Sequence, residues 1–204
     1  MPLEYQIASN VFLAIIYFSI HSLMARSSFK GWWNSHFHFA MQRAFYIFIS
    51  GITTITFLYL WFPLPNLFIE FSHPITKMFV IIFHVSGWVL IFSSTFVIDH
   101  FSFFGIRQTW RNMVGKTSVD PPFTVKYMYA VIRHPISLGW LMVFWSSPNF
   151  TYGNLLLAIL STGYILIVTP IEEKDLVRTI GKSYLDYKEK VPKILPLPRL
   201  KNKN

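Results

Sequence analysis

Three short runs in this sequence put charged or aromatic groups where they could do chemistry. The first is Arg133-His134-Pro135, at the start of an apolar block. Proline suits the first turn of a helix, where its missing N–H leaves no hydrogen bond unmade. A helix beginning there aims backbone N–H groups at an anion such as a carboxylate or phosphate, and Arg133 adds charge. The plainer reading is an interfacial arginine beside a helix-start proline. The second run, Glu172-Glu173 with Asp175, follows Pro170 at the end of the same block. Adjacent carboxylates suit a cationic ligand, or equally the acidic first turn of a solvated helix. The third is Asp99-His100 with Arg107, Gln108 and Trp110, which alone reads as a capping and interface cluster. His84, mid-stretch, and His21, nearer an end, read as hydrogen-bonded interior histidines. No His-x-x-His or Glu-x-x-His pair occurs, so no metal site is expected, and there is no glycine-rich phosphate loop. The absence of cysteine excludes a disulfide framework, a thiolate metal site and a covalent Cys nucleophile.

The elements that must position these groups are apolar. Of 204 residues, 53% are apolar and only 13% charged, where a soluble domain carries about 25% charged. Aromatic residues make up 19%, as suits a lipid-facing surface with interfacial belts. Stretches 7–24, 44–62 and 75–98 are long enough, or nearly so, to span. So is the block 135–169, which Pro148 divides into halves at 136–147 and 154–169. The first half covers only about 18 Å of a roughly 30 Å core. Either its helix begins earlier, near Tyr127, or the two halves form a hairpin that does not fully cross. The first apolar stretch lacks a basic leader region and an Ala-x-Ala site, so it reads as a span.

Every Lys and Arg except Lys77 falls in the loop after the first stretch, the loop after the third, or the tail after residue 171. The alternation puts the N-terminus outside and the C-terminus in the cytoplasm. It also explains the net charge of +9 without nucleic acid. In 172–191, charges interleave with Leu176, Ile180, Tyr184 and Tyr187 at the spacing of an amphipathic helix lying on the membrane face; the proline-rich stretch 191–200 ends regular structure. The expected architecture is an all-α membrane protein with five transmembrane segments, the last two a short helical hairpin, followed by a cytoplasmic amphipathic C-terminal helix.

The order of the motifs carries a resemblance. Arg133-His134-Pro135-Ile136-Ser137-Leu138-Gly139 precedes the last apolar hairpin, and Ile171-Glu172-Glu173-Lys174-Asp175-Leu176 follows it. Gly181, Tyr184, Tyr187 and Val191-Pro192 come next. That order resembles the isoprenylcysteine carboxyl methyltransferase superfamily of membrane enzymes. His21-Ser22 to Arg26, Phe29-Lys30-Gly31-Trp32-Trp33, Trp61 to Pro65, Asp99-His100-Phe101 and Phe104-Gly105 to Trp110 narrow it to bacterial methanethiol S-methyltransferases, with NnrU-type membrane proteins sharing part of the pattern. The resemblance covers nearly the whole chain.

It implies one integral membrane domain, 1–204, with a membrane core over 1–126 and a cofactor-binding hairpin and tail over 127–192. The implied cofactor is S-adenosylmethionine, and the implied reaction is methylation of methanethiol to dimethyl sulfide in a bacterial inner membrane. Other thiols, a prenylcysteine-like lipid, or a non-enzymatic NnrU-type role are the alternatives. Arg133 and the helix start at Pro135 would take the cofactor's carboxylate, and His134 would hydrogen-bond it. Glu172 or Glu173 would take its cationic end, with Tyr129, Tyr184 and Tyr187 bordering the adenine. Arg107 or His100 would favour the thiolate, with Glu173 also at the reacting centre. The partners implied are a small thiol and the bilayer, with no obligate protein partner.

Overall fold

A computed structural model describes residues 1–117 and 123–196. Arg199, Lys201 and Lys203 of the basic tail, and the end of the 191–200 stretch, lie outside the described residues. In chain order the elements are α1 (Leu3–Ala25), α2 (Ser27–His36), α3 (Phe39–Leu60), β1 (Leu67–Glu70), α4 (Pro74–Ile98), α5 (His100–Phe103), α6 (Ile106–Met113), α7 (Met128–Val131), α8 (Pro135–Phe144), β2 (Asn149–Thr151), α9 (Tyr152–Ile180) and α10 (Lys182–Lys190).

Helices α1, α3, α4 and α9 are long and apolar enough to cross a membrane. Their outer faces leave Phe12, Phe48, Ile55, Phe79, Val89 and Leu166 exposed. Apolar exposure on this scale needs lipid around it, so the chain is an integral membrane protein. The ends carrying Ala25, Phe39, Ile98, Pro135 and Ile180 gather on one side, joined by Arg26 to Asp175 (3.4 Å), Arg43 Nε to the Phe103 carbonyl (2.8 Å) and Arg133 to Glu173. We call this the basic end.

Three details differ from the expected architecture. The chain is not wholly helical, because β1 and β2 pair antiparallel, with Leu67 opposite Thr151 and Glu70 opposite Asn149, and cover the far end. Helix α8 begins at Pro135, separate from α7, and its ten residues rise only about 15 Å. Helix α9 is not short: it runs 29 residues straight through Pro170 and stops at Gly181, whose φ of 75° is open to glycine. Interior proline is tolerated in a membrane helix because neighbouring groups satisfy the freed carbonyls; Thr169 Oγ1 donates to the Ile165 carbonyl beside it. Glu172 and Glu173 therefore ride on the spanning helix itself, and the tail helix α10 starts only after them.

Packing rests on small residues and a few polar clasps. Helices α4 and α8 make the most extensive contact in the bundle. There Gly87 and Gly139 face each other so closely that a Cβ on either would meet the other's carbonyl oxygen, at 2.9 and 2.8 Å. His84 seals the same seam. Its Nδ1 meets the Ser146 carbonyl at 2.6 Å while Nε2 accepts from the Trp88 indole at 3.1 Å. At the far end buried Asn10 of α1 donates to the Phe62 carbonyl and accepts from its N–H, both at 2.8 Å. At the basic end Gly105 has φ 76°, and a Cβ there would lie 2.4 Å from the Ala44 backbone nitrogen. Gly105→Ala is thus expected to push α6 off α3 and lower the thermal midpoint in detergent by several degrees, reflecting about 1–3 kcal/mol. An unchanged midpoint would contradict this packing.

Candidate active site

The core of the site is a buried carboxylate on α9. Glu173 Oε1 receives Arg133 Nε and Nη2, each at 2.7 Å, and lies 3.1 Å from His134 Nε2. Its Oε2 meets Lys188 Nζ at 3.1 Å. Glu173 is 1% exposed and Arg133 5%. Arg133 Nη1 completes the set by donating to the carbonyls of Lys188 (2.8 Å) and Val191 (2.5 Å). The backbone joins in: the Arg133 and His134 N–H groups donate to the Pro192 and Lys193 carbonyls. Burying these charges is tolerable only because nearly every donor has a partner. The guanidinium is thereby saturated by the chain's own oxygens. It ties α8, α9 and the end of α10 together instead of presenting free donors to a ligand.

Glu172 behaves differently. Its side chain is half exposed and its Oε2 lies 3.8 Å from His134 Nδ1. Since Nε2 of that ring points at Glu173, a neutral ring that donates there leaves Nδ1 as an acceptor. Nδ1 and the Glu172 carboxylate are then two neighbouring acceptors, a pairing that suits an ammonium. The carboxylate is close enough to act electrostatically on the phenols of Tyr129, Tyr184, Tyr46 and Tyr164. A sulfonium or ammonium is attracted both to such a carboxylate and to ring faces.

Tyr184 and Tyr187 are buried, their ring centroids 5.7 Å apart, in a cluster with Val191. The partly exposed Phe123 ring meets both edge-on, at 5.8 and 5.4 Å. Burial pushes the Tyr187 phenol up to about 12, against a smaller opposing pull from Arg133. It stays a neutral donor, and its hydroxyl donates a hydrogen bond to the Tyr129 carbonyl at 2.6 Å.

The third run lies at the end of α4. Asp99 sits at φ 104°, a strained conformation for a non-glycine residue. It is held there by Ser102 N–H (3.2 Å), Ser102 Oγ (3.0 Å) and Arg107 Nη1 (2.8 Å). His100 stacks on Phe96 at 4.2 Å and meets Thr95 Oγ1 through Nδ1 at 2.8 Å. The structure thus brings Arg133, His134, Pro135, Glu172, Glu173, Tyr129, Tyr184 and Tyr187 into one cluster. It does not bring His100 and Arg107 into that cluster: they lie at the end of α4, Arg107 paired with Asp99 and His100 with Thr95.

Sequence reasoning missed Lys188, whose only signal is its place one helical turn after Tyr184. It also missed Tyr46 and Tyr164, which look like ordinary span aromatics. Among the described residues, no group of three or more His, Cys, Asp or Glu side chains is placed to hold a metal.

A polytopic helical membrane protein with an acid- and aromatic-lined site at its basic end is the class that fold and site define. No family model matches the chain, and no solved structure matches it. Among curated proteins it is 35% identical over 190 residues to methanethiol S-methyltransferase 1 of Bradyrhizobium diazoefficiens, covering 93% of this chain and 67% of that protein. It is 33% identical over 197 residues to the methanethiol S-methyltransferase of Mycobacterium tuberculosis, covering 97% of this chain and 81% of that one. Nurim of Sus scrofa is more distant, 26% identical over 181 residues, 83% of this chain and 68% of nurim. The chain belongs to the methanethiol S-methyltransferase family.

Proposed function

We propose that this protein transfers a methyl group from S-adenosylmethionine to methanethiol, giving dimethyl sulfide. The observation that carries this is the half-open Glu172 carboxylate beside His134 Nδ1, in a chain whose relatives bear that enzyme's name. The groups present fit two parts of the cofactor, with two acceptors for its ammonium and the exposed Phe123 face, backed by Tyr184 and Tyr187, for its adenine. Arg133, saturated by Glu173 and two carbonyls, takes no part in holding its carboxylate. When bound, S-adenosylmethionine supplies a methyl group activated by positive charge on sulfur.

In this reading Glu172 and His134 orient the cofactor, while Arg133, Glu173, Lys188 and Pro135 fix the helix ends that carry them. Tyr129 helps to close the pocket. His100 and Arg107 border the acceptor and favour its thiolate. Attack by sulfur on the sulfonium carbon cancels charge, so holding the partners in line in a dry site contributes most of the rate. The finer topology follows: α8 and α9 act as a hairpin over residues 127–192 with α10 lying on the membrane face, the N-terminus is outside, and the basic end is cytoplasmic in a bacterial inner membrane. α8 then enters the bilayer as a fifth segment.

Purified protein supplied with labelled S-adenosylmethionine and methanethiol should release labelled dimethyl sulfide, and the absence of labelled volatile product would refute the proposal. Ethanethiol and a prenylcysteine in parallel distinguish a small cavity from a lipid-open groove. Glu172→Gln is expected to weaken cofactor binding about tenfold or more. The ligand-free midpoint should not change, because the group is half exposed. Thermal shift against cofactor concentration reads both, and undiminished binding would remove Glu172 from the site.

A further inference from the structure

Helix α6 carries a face with no part in the site described above. At about 100° per residue, Ile106, Trp110 and Met113 fall on one stripe, and all three are exposed, Met113 the most at 72%. Thr109 and the Gly105 cap turn towards the first turns of α3. Thr109 Oγ1 donates to the Ala40 carbonyl at 3.4 Å, and Gly105 lies against the Ala44 backbone. Arg107 and Arg111 flank the stripe on the side away from Thr109.

Those contacts fix the depth of α6. Ala40 and Ala44 are the second and sixth residues of α3, a spanning helix, so they lie within about 9 Å of its basic end at 1.5 Å per residue. That is the level of lipid headgroups and the first acyl carbons, where amphipathic helices lie and tryptophan collects. The stripe adds to a lipid-facing rim at this end, where Phe39 and Met41 of α3, Phe96 of α4 and Phe101 of α5 are also exposed. The two arginines differ. Arg107 is committed to Asp99 at 2.8 Å. Arg111 Nε is shut away from solvent and has no hydrogen-bond partner. A buried donor left unpaired is costly. At headgroup depth the oxygen within reach is a lipid phosphate, whose geometry matches the guanidinium fork. Lys116, whose N–H donates to the Arg111 carbonyl at 2.8 Å, adds a second cation at that end of the helix.

We propose that α6 is a membrane-surface anchor that binds an anionic phospholipid: Ile106, Trp110 and Met113 enter the acyl region while Arg111 holds the headgroup phosphate. Because α6 also carries Arg107, the anchor steadies the strained Asp99 corner at the end of α4. This anchoring is independent of methyl transfer and is read without turnover.

The chain has no cysteine, so Met113→Cys takes a single nitroxide label. In nanodiscs of phosphatidylcholine and phosphatidylglycerol, that label should be relaxed by oxygen, which concentrates in lipid, more than by a water-soluble nickel chelate. A label at Asn112→Cys, off the stripe, should show the reverse. Native mass spectrometry of the detergent-solubilised protein should find phosphatidylglycerol retained over phosphatidylcholine. Arg111→Gln should cut that preference roughly fivefold, and Arg111→Lys should keep part of it. Phosphatidylglycerol should also raise the thermal midpoint of the wild type but not of Arg111→Gln. A Met113 label open to water, a lipid preference unchanged in Arg111→Gln, or an equal effect of inorganic phosphate would overturn the proposal. So would spin–spin broadening at the Met113 label, which would put a second copy of the chain on this face.

Discussion

Replacing Glu173 with alanine is expected to release α10 and the chain after it from the basic end and to destabilise the protein by about 3–5 kcal/mol, the cost of leaving a buried ion without its partner. The carboxylate is 1% exposed and receives Arg133, Lys188 and His134 together. Removing it leaves a guanidinium buried at 5% exposure with only the Lys188 and Val191 carbonyls. Glu173→Gln keeps an acceptor but not the charge and should fall between wild type and alanine. The double variant Arg133→Met with Glu173→Leu should regain part of the loss, because it removes the stranded cation too. Thermal unfolding in detergent and limited proteolysis after residue 181 read these effects. A Glu173→Ala protein with a wild-type midpoint and an intact tail would show that the network is dispensable.

The other large effect is expected in the α4–α8 seam. In lipid, apolar side chains gain little by leaving their surroundings, so helices associate through close backbone approach at small residues. A Cβ on Gly139 would stand 2.7 Å from Ile91 Cγ1 and 2.8 Å from the Gly87 carbonyl oxygen. The first can swing away but the second is backbone. Gly139→Val is expected to separate the helices, break the His84–Ser146 clasp and abolish methyltransferase activity, with a thermal loss of several degrees. Gly163→Ala, whose added Cβ meets nothing within 4 Å, should be neutral or slightly stabilising because alanine favours helix. The contrast between the two midpoints is the measurement, and equal behaviour would mean the seam is not closely packed.

Much of this was legible from residue types. The spans follow from hydropathy, and the basic end follows from cations gathered in alternate loops. The Arg-His-Pro run marks the start of α8, whereas the Glu-Glu run lies inside α9 and marks no helix end. Proline misled at position 170, since its local preference against a helix interior is overridden where a bundle absorbs the freed carbonyl. The ribbon of β1 and β2 escaped notice because four-residue and three-residue strands leave too little alternation to read. The division of labour between Glu172 and Glu173 was hidden too. Adjacent residues on a helix point about 100° apart, and which direction is inward depends on where Arg133 and Lys188 arrive from other elements. His21 is the hydrogen-bonded interior histidine its position suggested, and only the approach of α1 to α3 supplies its partners, Tyr46 and Ser50.

The unbroken course of α9 has a mechanical consequence. Thr151 and Asn154 fix its start through a reciprocal cap, β2 binds that start to β1, and the Gly153 N–H donates to the Leu64 carbonyl. Some 22 residues later, about 33 Å along one rod, stand the two acids. The far-end ribbon therefore sets the tilt and azimuth of Glu172 as a fulcrum sets the tip of a lever. Variation in this two-stranded ribbon, at the opposite end of α9 from both acids, becomes a means of re-aiming the Glu172 carboxylate.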